Sequence, residues 1–404
     1  MTEQTDQNSA DYQAVMPTYG RIDLAFVRGE GSYLFTEAGQ AYLDCATGIA
    51  VNALGHGHPA LLAALHEQTD LLWHTSNLYR IPQQEKLAGR LARAAGLEQV
   101  FFCNSGAEAN EAAVKMARRF HYRQQQPERV EILCAGGAFH GRTLAMLAAT
   151  DRPAFREGFG PMPGGFAHVP FGNLNALRAA LGPQTAAIML EPVQGEGGAI
   201  AAPPGYLEGV AEAAREFGTL LIADEVQTGM GRTGYLFAFQ AAGIQPDLVV
   251  LAKGLGGGFP VGAVIARAEI GEAMGPGSHG STFGGNPLAT AVANALMSEV
   301  EKEPFLKQVR ARSAQLHDGL DRLAERYPDL VAGRRGMGLL AGLQLADSLP
   351  VAELNNRLRA RQVLCVPAAE NVLRMLPPLT ISEEEINQLL SLLGTCLADG
   401  PKED

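Results

Sequence analysis

Two charged groups of opposite sign stand where buried strands should stop. The apolar run TLLIA at 219–223 ends in Asp224-Glu225, and DLVVLA at 247–252 ends in Lys253. In open α/β sheets ligands bind beyond the carboxyl ends of the strands. One crossover therefore brings a carboxylate and an amine to one crevice. Taken singly, these residues also read as a buried ion pair, or as two solvated loop charges. Together they suit a particular chemistry. A desolvated lysine gives up its proton readily and becomes a nucleophile toward a carbonyl. A carboxylate beside it can hold a protonated ring nitrogen, which makes a heterocycle an electron sink.

A cofactor that works this way, pyridoxal 5'-phosphate (PLP), needs further groups, and each has a candidate. Its phosphate is best held by backbone N–H groups at a helix N-terminus. Ser105-Gly106-Ala107 lies between the strand-like QVFFC and the most regular helical pattern in the chain. Ser105 would also serve as an ordinary N-cap. Phe139, in GGAFHG, could cover one ring face or be plain core. Val226, two residues past Asp224, could cover the other, and Gln227 is placed to reach the ring oxygen. The run KGLGGGF is a poor dinucleotide fingerprint: it begins on a lysine, lies far down the chain and precedes no clear helix. That speaks against a nucleotide-binding protein.

The strings FFCNSGAEANEAA, AFHGRT, LEPVQGEGG, LIADEVQTGMGRTG, LAKGLGGGFPVGA and STFGGNPLA are similar to those of class III (subgroup II) aminotransferases of PLP fold type I. They occur in the family's order, from about Tyr33 to Leu390. GIAVNALGHGHP and WHTSNLY most resemble the acetylornithine aminotransferases of arginine biosynthesis. The resemblance implies an α/β fold, with a large PLP-binding domain on a mostly parallel sheet and a smaller α+β domain. It implies transfer of the δ-amino group of N2-acetylornithine to 2-oxoglutarate, giving N-acetylglutamate semialdehyde and glutamate. Succinylornithine, free ornithine and 4-aminobutyrate are alternative donors. A PLP-binding protein without catalysis is the alternative of another class, and the presence of both Lys253 and Asp224 argues against it.

Residue roles follow from the resemblance. Lys253 would carry the cofactor and shuttle the proton. Asp224 would pair with the ring nitrogen and Gln227 with the phenolic oxygen, with Phe139 and Val226 around the ring. Gly106 and Ala107, following Ser105, would hold the phosphate. Thr282 would reach the phosphate of a neighbouring subunit, which makes the active unit a homodimer, and Ser281 joins the substrate-binding set. Arg142 would bind one substrate carboxylate and Arg374 a second. Glu196 would neutralise Arg374 when no carboxylate is there. Related ornithine aminotransferases carry a tyrosine where this chain has Gly48, a difference that favours an N-acylated substrate without separating acetyl from succinyl.

These residues need elements to position them. The runs at 99–103, 130–135, 186–190, 219–223, 247–252 and 261–266 are apolar at nearly every position. Such runs suit strands buried on both faces, hence a mostly parallel sheet between helices. Between the first two, Ala109, Ala112, Ala113, Met116, Ala117 and Phe120 follow helical spacing over 106–123, opened by a Ser105–Glu108 capping box. After Pro304 a charged helix (307–326), strands around GMGLLAGLQLA, VLCVP and VLRML, and a final helix opened by Ser382 and Glu385 suggest the smaller domain. Residues 21–46 read as hairpin strands that join it. The expected division is 50–299 for the large domain, with 1–49 and 300–404 as a discontinuous small one.

Composition narrows the function class. The 47 glycines among 404 residues cluster at strand ends without a repeat period, which excludes collagen and solenoid architectures. A formal charge of −11 without a basic stripe speaks against nucleic acid. No apolar stretch is long enough for a membrane span, and no signal pattern opens the chain. The five cysteines form no CxxC pair, and Cys103 and Cys134 read as small buried hydrophobes, which suits a reducing cytoplasm. His56 and His58 in GHGHP make a turn rather than a metal pair, and no metal is expected. The polar first dozen residues and the last five read as disordered.

Overall fold

The computed structural model describes residues 14–400; the ends expected to be disordered, Gly400 apart, lie outside the described residues. Seven strands form the large sheet. In chain order they are β1 (Gln99–Cys103), β2 (Glu131–Ala135), β3 (Phe166–Val169), β4 (Thr185–Leu190), β5 (Leu220–Asp224), β6 (Leu248–Leu251) and β7 (Gly262–Ala266). Their spatial order is β1-β7-β6-β5-β4-β2-β3. Pairing is parallel from β3 through to β6, while β7 runs antiparallel to both β6 and β1. Every residue of β4, β5, β6 and β7 is buried, the burial that continuous apolar runs require. The sequence patterning missed β3. It is an edge strand, FAHV, with three of its four residues only partly buried, so it needs no unbroken apolar run.

Asp224 pairs with Val250 across β5 and β6, so the ends of both strands reach the same edge of the sheet. Helix α1 (Gly106–Arg123) packs Ala109, Ala112, Ala113, Met116 and Ala117 onto one face, and the four alanines let the helix lie close. Ser105 Oγ accepts the Glu108 N–H at 3.3 Å, as a capping box requires. The return bond differs. Glu108 Oε2 accepts the N–H of Asn104 at 3.0 Å, one residue before the cap.

A second sheet is antiparallel, in the order β8 (Val331–Met337), β9 (Leu340–Leu345), β11 (Val372–Met375), β10 (Val366–Ala368). Helices α2 (Glu303–Arg326) and α3 (Glu383–Ala398) contribute to the same core. The Ser382–Glu385 box is complete in both directions, at 3.1 and 2.8 Å. The N-terminal strands Arg28–Glu30, Tyr33–Phe35 and Ala41–Asp44 form a meander, and Val363–Leu364 adds to it parallel to Ala41–Asp44. VLCVP is thus two strands. It divides at Cys365, its first half pairing with the N-terminal ribbon and its second with the strand that holds Arg374.

Candidate active site

A cavity of about 430 Å³ opens beyond β5 and β6, lined among others by Ser105, Gly106, Ala107, Phe139, Arg142, Asp224, Val226, Gln227 and Lys253. Nine residues singled out from sequence thus meet in one place. Glu196, Arg374, Ser281 and Thr282 are not among its lining residues. Lys253 opens a short 3-10 turn, Lys253–Leu255, with φ +40°. That left-handed backbone is strained for a residue with a Cβ, and such strain persists only where the surroundings impose it. Burial, then the charge of Arg374, hold its amine below the usual lysine range against the pull of Glu196, Glu191 and Asp224.

Asp224 is the centre of a buried network. Oδ2 accepts from His140 Nδ1 at 2.7 Å and from Asn110 Nδ2 at 2.8 Å, and Oδ1 accepts the Val226 N–H at 3.0 Å. Asn110 also donates to His140 O at 2.8 Å. Burial opposes a charge on His140, but the hydrogen bond and charge of Asp224, with Glu191 beyond, raise its pKa above the ordinary value. Glu191 accepts the Phe139 N–H at 3.0 Å, and burial together with the charge of Asp224 pushes its carboxyl up to about 7.

Sequence reasoning missed Asn110, His140 and Glu191. For Asn110 a signal was available: it is a polar residue inside the apolar stripe of α1, where only a hydrogen-bonded partner justifies it. His140 and Glu191 sit beside motif residues and carry no periodic signature of their own.

Arg374 is completely buried in β11. Its Nη2 lies 2.7 Å from Glu196 Oε1, and its Nη1 donates to Gln227 Oε1 at 3.0 Å. Gln227 therefore faces the cavity with its oxygen already committed and its Nε2 as the remaining donor. Arg142 is exposed beside the cavity, its guanidinium 3.7 Å from the Phe155 ring centroid and 5.6 Å from that of Phe139. Ser281 Oγ accepts from Asn104 Nδ2 at 3.2 Å and from the Gly284 N–H at 3.0 Å. Thr282, the next residue, is exposed. Among the described residues, no group of three or more His, Cys, Asp or Glu is arranged to hold a metal ion.

The family model for class III aminotransferases matches residues 14–397. The chain belongs to that family. This aminotransferase is 50% identical over 384 residues to acetylornithine aminotransferase 1 of Bradyrhizobium diazoefficiens, which covers 95% of this chain and 94% of that protein. Among solved structures it is similar to N-acetylornithine aminotransferase from Stenotrophomonas maltophilia, with a TM-score of 0.83, 36% identity and coverage of 94% and 97% of the two chains. It is also similar to ornithine aminotransferase from Toxoplasma gondii, crystallised with oxidised glutathione, which holds PLP at partial occupancy in its active site. There the TM-score is 0.93, with 32% identity and coverage of 98% and 94%.

The cofactor of this aminotransferase is pyridoxal phosphate, and the cavity fits it. Two buried polar atoms in the lining, Asn110 Oδ1 and His140 Nε2, have no hydrogen-bond partner among the described residues. Gly106 and Ala107 begin α1, where backbone N–H groups have no acceptor in a preceding turn. A Cβ on Gly106 would stand 3.0 and 3.1 Å from the two methyls of Val226. Glycine is thus what lets the helix start close against Val226.

Proposed function

We propose that the enzyme transfers the δ-amino group of N2-acetylornithine to 2-oxoglutarate, giving N-acetylglutamate semialdehyde and glutamate, a step of arginine biosynthesis. Two unlike carboxylate sites beside one amine carry this reading. Arg142 is exposed and has no acidic partner among the described ion pairs, while Arg374 is buried and already paired with Glu196. A donor that presents a distant amino group brings its carboxylate to the first site. A 2-oxo diacid brings an extra carboxylate to the second.

When bound, pyridoxal phosphate supplies an aldehyde for amino groups and a ring that draws electrons from the carbon losing its proton. Asp224 keeps the ring nitrogen's proton in place, and His140 and Asn110 keep Asp224 aimed. Lys253 Nζ, held below its usual pKa, takes the proton from the amino-bearing carbon and returns it across the cavity. Phe139 and Val226 confine the ring, and Gln227 Nε2 donates to the ring hydroxyl. The N–H groups of Gly106 and Ala107, with Ser105 beside them, bind the phosphate.

The same reading takes the active unit as a homodimer in which exposed Thr282 reaches the neighbour's phosphate, with Ser281 anchoring its loop. Leu78, Trp73 and Phe283 support this: they are 88%, 63% and 60% exposed, and Asn77 and His74, the neighbours of the first two, contact Ser281 and Phe283 on either side of Thr282, so this apolar surface calls for cover. The division into a domain of 50–299 and a discontinuous one of 1–49 and 300–404 is supported by the pairing of Ala41–Asp44 with Val363–Leu364. A cytoplasmic location is supported by five buried free thiols. No helix among the described residues is long and apolar enough to cross a membrane.

A panel of amino donors assayed with 2-oxoglutarate and PLP tests the substrate. Acetylornithine should give the highest kcat/KM, ahead of free ornithine and 4-aminobutyrate. A clear preference for succinylornithine or another ω-amino acid would reassign the donor. Lys253→Ala should abolish turnover and still bind PLP without a covalent link.

A further inference from the structure

The GHGHP run passes for a turn in the sequence, yet its first histidine is linked to the cavity through a buried carboxylate. His56 Nε2 lies 2.8 Å from Oδ2 of Asp44, a residue 2% exposed. The other oxygen, Oδ1, accepts the N–H groups of Ala46 at 2.9 Å and Thr47 at 2.8 Å. The chain then passes through four consecutive residues of positive φ: Thr47 at +46°, Gly48 at +62°, Ile49 at +65° and Ala50 at +63°. Left-handed backbone is unfavourable for any residue with a Cβ, and most of all for β-branched ones. Thr47, Ile49 and Ala50 therefore need outside restraint to stay there.

The restraints join three parts of the site. Thr47 Oγ1 donates to Leu376 O at 2.7 Å, and the Leu376 N–H donates to Cys45 O at 2.7 Å, which binds the turn to the segment just past Arg374. Ala50 is buried with Val193, Ala199, Leu340 and Leu376, and the first two of these bracket Glu196. A Cβ on Gly254, next to Lys253, would lie 3.7 Å from Ala50 O. Val51 lines the cavity, and Gly48 and Ile49 are exposed just before it. His56 is itself confined, since a Cβ on Gly29 would stand 2.7 Å from its Cβ.

We infer that Asp44 and His56 form a positioning unit for transamination: the pair fixes the left-handed turn Thr47–Ala50, which sets the cavity wall at Val51 and with it the fit of extended ω-amino donors. This rests on the acylornithine donor proposed above. Arg374 is held independently of the turn, by the pairing of its strand with Gly342 on one side and Val366 on the other, so the half-reaction that uses Arg374 should feel the turn less than the one that takes an extended donor.

The test compares holoenzymes of His56→Ala, His56→Gln and Asp44→Asn, with acetylornithine and glutamate as separate donors and with PLP content and Tm measured on each. His56→Ala is expected to raise KM for acetylornithine by about tenfold or more, with kcat and the glutamate half-reaction within about threefold of wild type. Its preference for acetylornithine over ornithine should narrow. His56→Gln, whose amide can still donate to Asp44, should recover most of the loss. Equal losses for both donors, or losses that follow Tm and PLP content alone, would overturn the proposal and leave a structural pair. If wild type ignores acetylornithine but the variants show the same split with another ω-amino donor, the donor assignment fails and the positioning role stands.

Discussion

His140 Nδ1 lies 2.7 Å from Asp224 Oδ2, with both side chains closed to water. Asp224 sits at the end of β5, and its side-chain partners come from α1, as Asn110, and from the loop after β2, as His140. Three separate segments thus hold the carboxylate proposed to meet the ring nitrogen. An amide here keeps one oxygen for Asn110 and His140 and gives up only the bond from the Val226 N–H.

Asp224→Asn is therefore expected to fold and to lose activity on the order of 100-fold or more, because an amide cannot keep the ring nitrogen protonated. His140→Ala leaves Asp224 with Asn110 and the Val226 N–H, so its loss should be smaller, about tenfold, with weaker PLP retention. Steady-state rates and PLP titration of both variants measure this. Near-wild-type turnover in Asp224→Asn would make Asp224 a structural residue only.

Glu225, the next residue, does not line the cavity and turns to Thr228 and Phe239 instead. It is 1% exposed, and burial lifts its carboxyl from 4.5 to about 7 despite the hydroxyl of Thr228 and the Phe239 N–H at 2.8 Å. Between those two values the folded protein binds a proton that the unfolded chain has released. Stability must then fall as pH rises through the window, by a total on the order of 3 kcal/mol. Glu225→Gln removes the titration. Its Tm relative to wild type should be clearly higher at pH 8 than at pH 5, with PLP-dependent activity retained. A difference independent of pH would show that Glu225 is not protonated in the fold.

The chemistry was more legible in the sequence than the wiring behind it. Lys253 and Asp224 announce themselves because charge at the end of an unbroken apolar run is costly unless used. Strands β4 to β7 were visible for the same reason, while β3, half exposed at the edge, was not. His140 and Asn110 act through hydrogen bonds between segments remote in sequence, 30 and 114 positions apart for the bonds Asn110 makes, and no local pattern encodes such pairing. Asp44 and His56 were hidden differently. Their product is a backbone conformation, and Thr47, Ile49 and Ala50 are residue types that ordinarily predict against it.

Arg374 and Glu196 are expected to act as a switch between the two half-reactions. Arg374 is completely buried, whereas the Glu196 side chain is 26% exposed, so only one partner of this pair has somewhere to go. The Glu196 carbonyl is pinned by the Arg152 guanidinium and by the Ala369 N–H at 3.3 Å, which leaves its side chain as the moving part. Glycine on either side permits the loop. A Cβ on Gly195 would collide with Gln227 Oε1 at 2.1 Å, the atom that steadies Arg374. An unpaired buried arginine costs several kcal/mol, so Arg374 must exchange one carboxylate for another rather than wait alone. Arg374→Ala should slow the glutamate and 2-oxoglutarate half-reaction by about 100-fold or more while changing the acylornithine half by less than about tenfold. Glu196→Ala leaves Arg374 always open and should tilt preference toward glutamate. Single-turnover spectra of the bound cofactor read each half separately. Equal losses in both halves, for both variants, would reduce the pair to a salt bridge that only supports the fold.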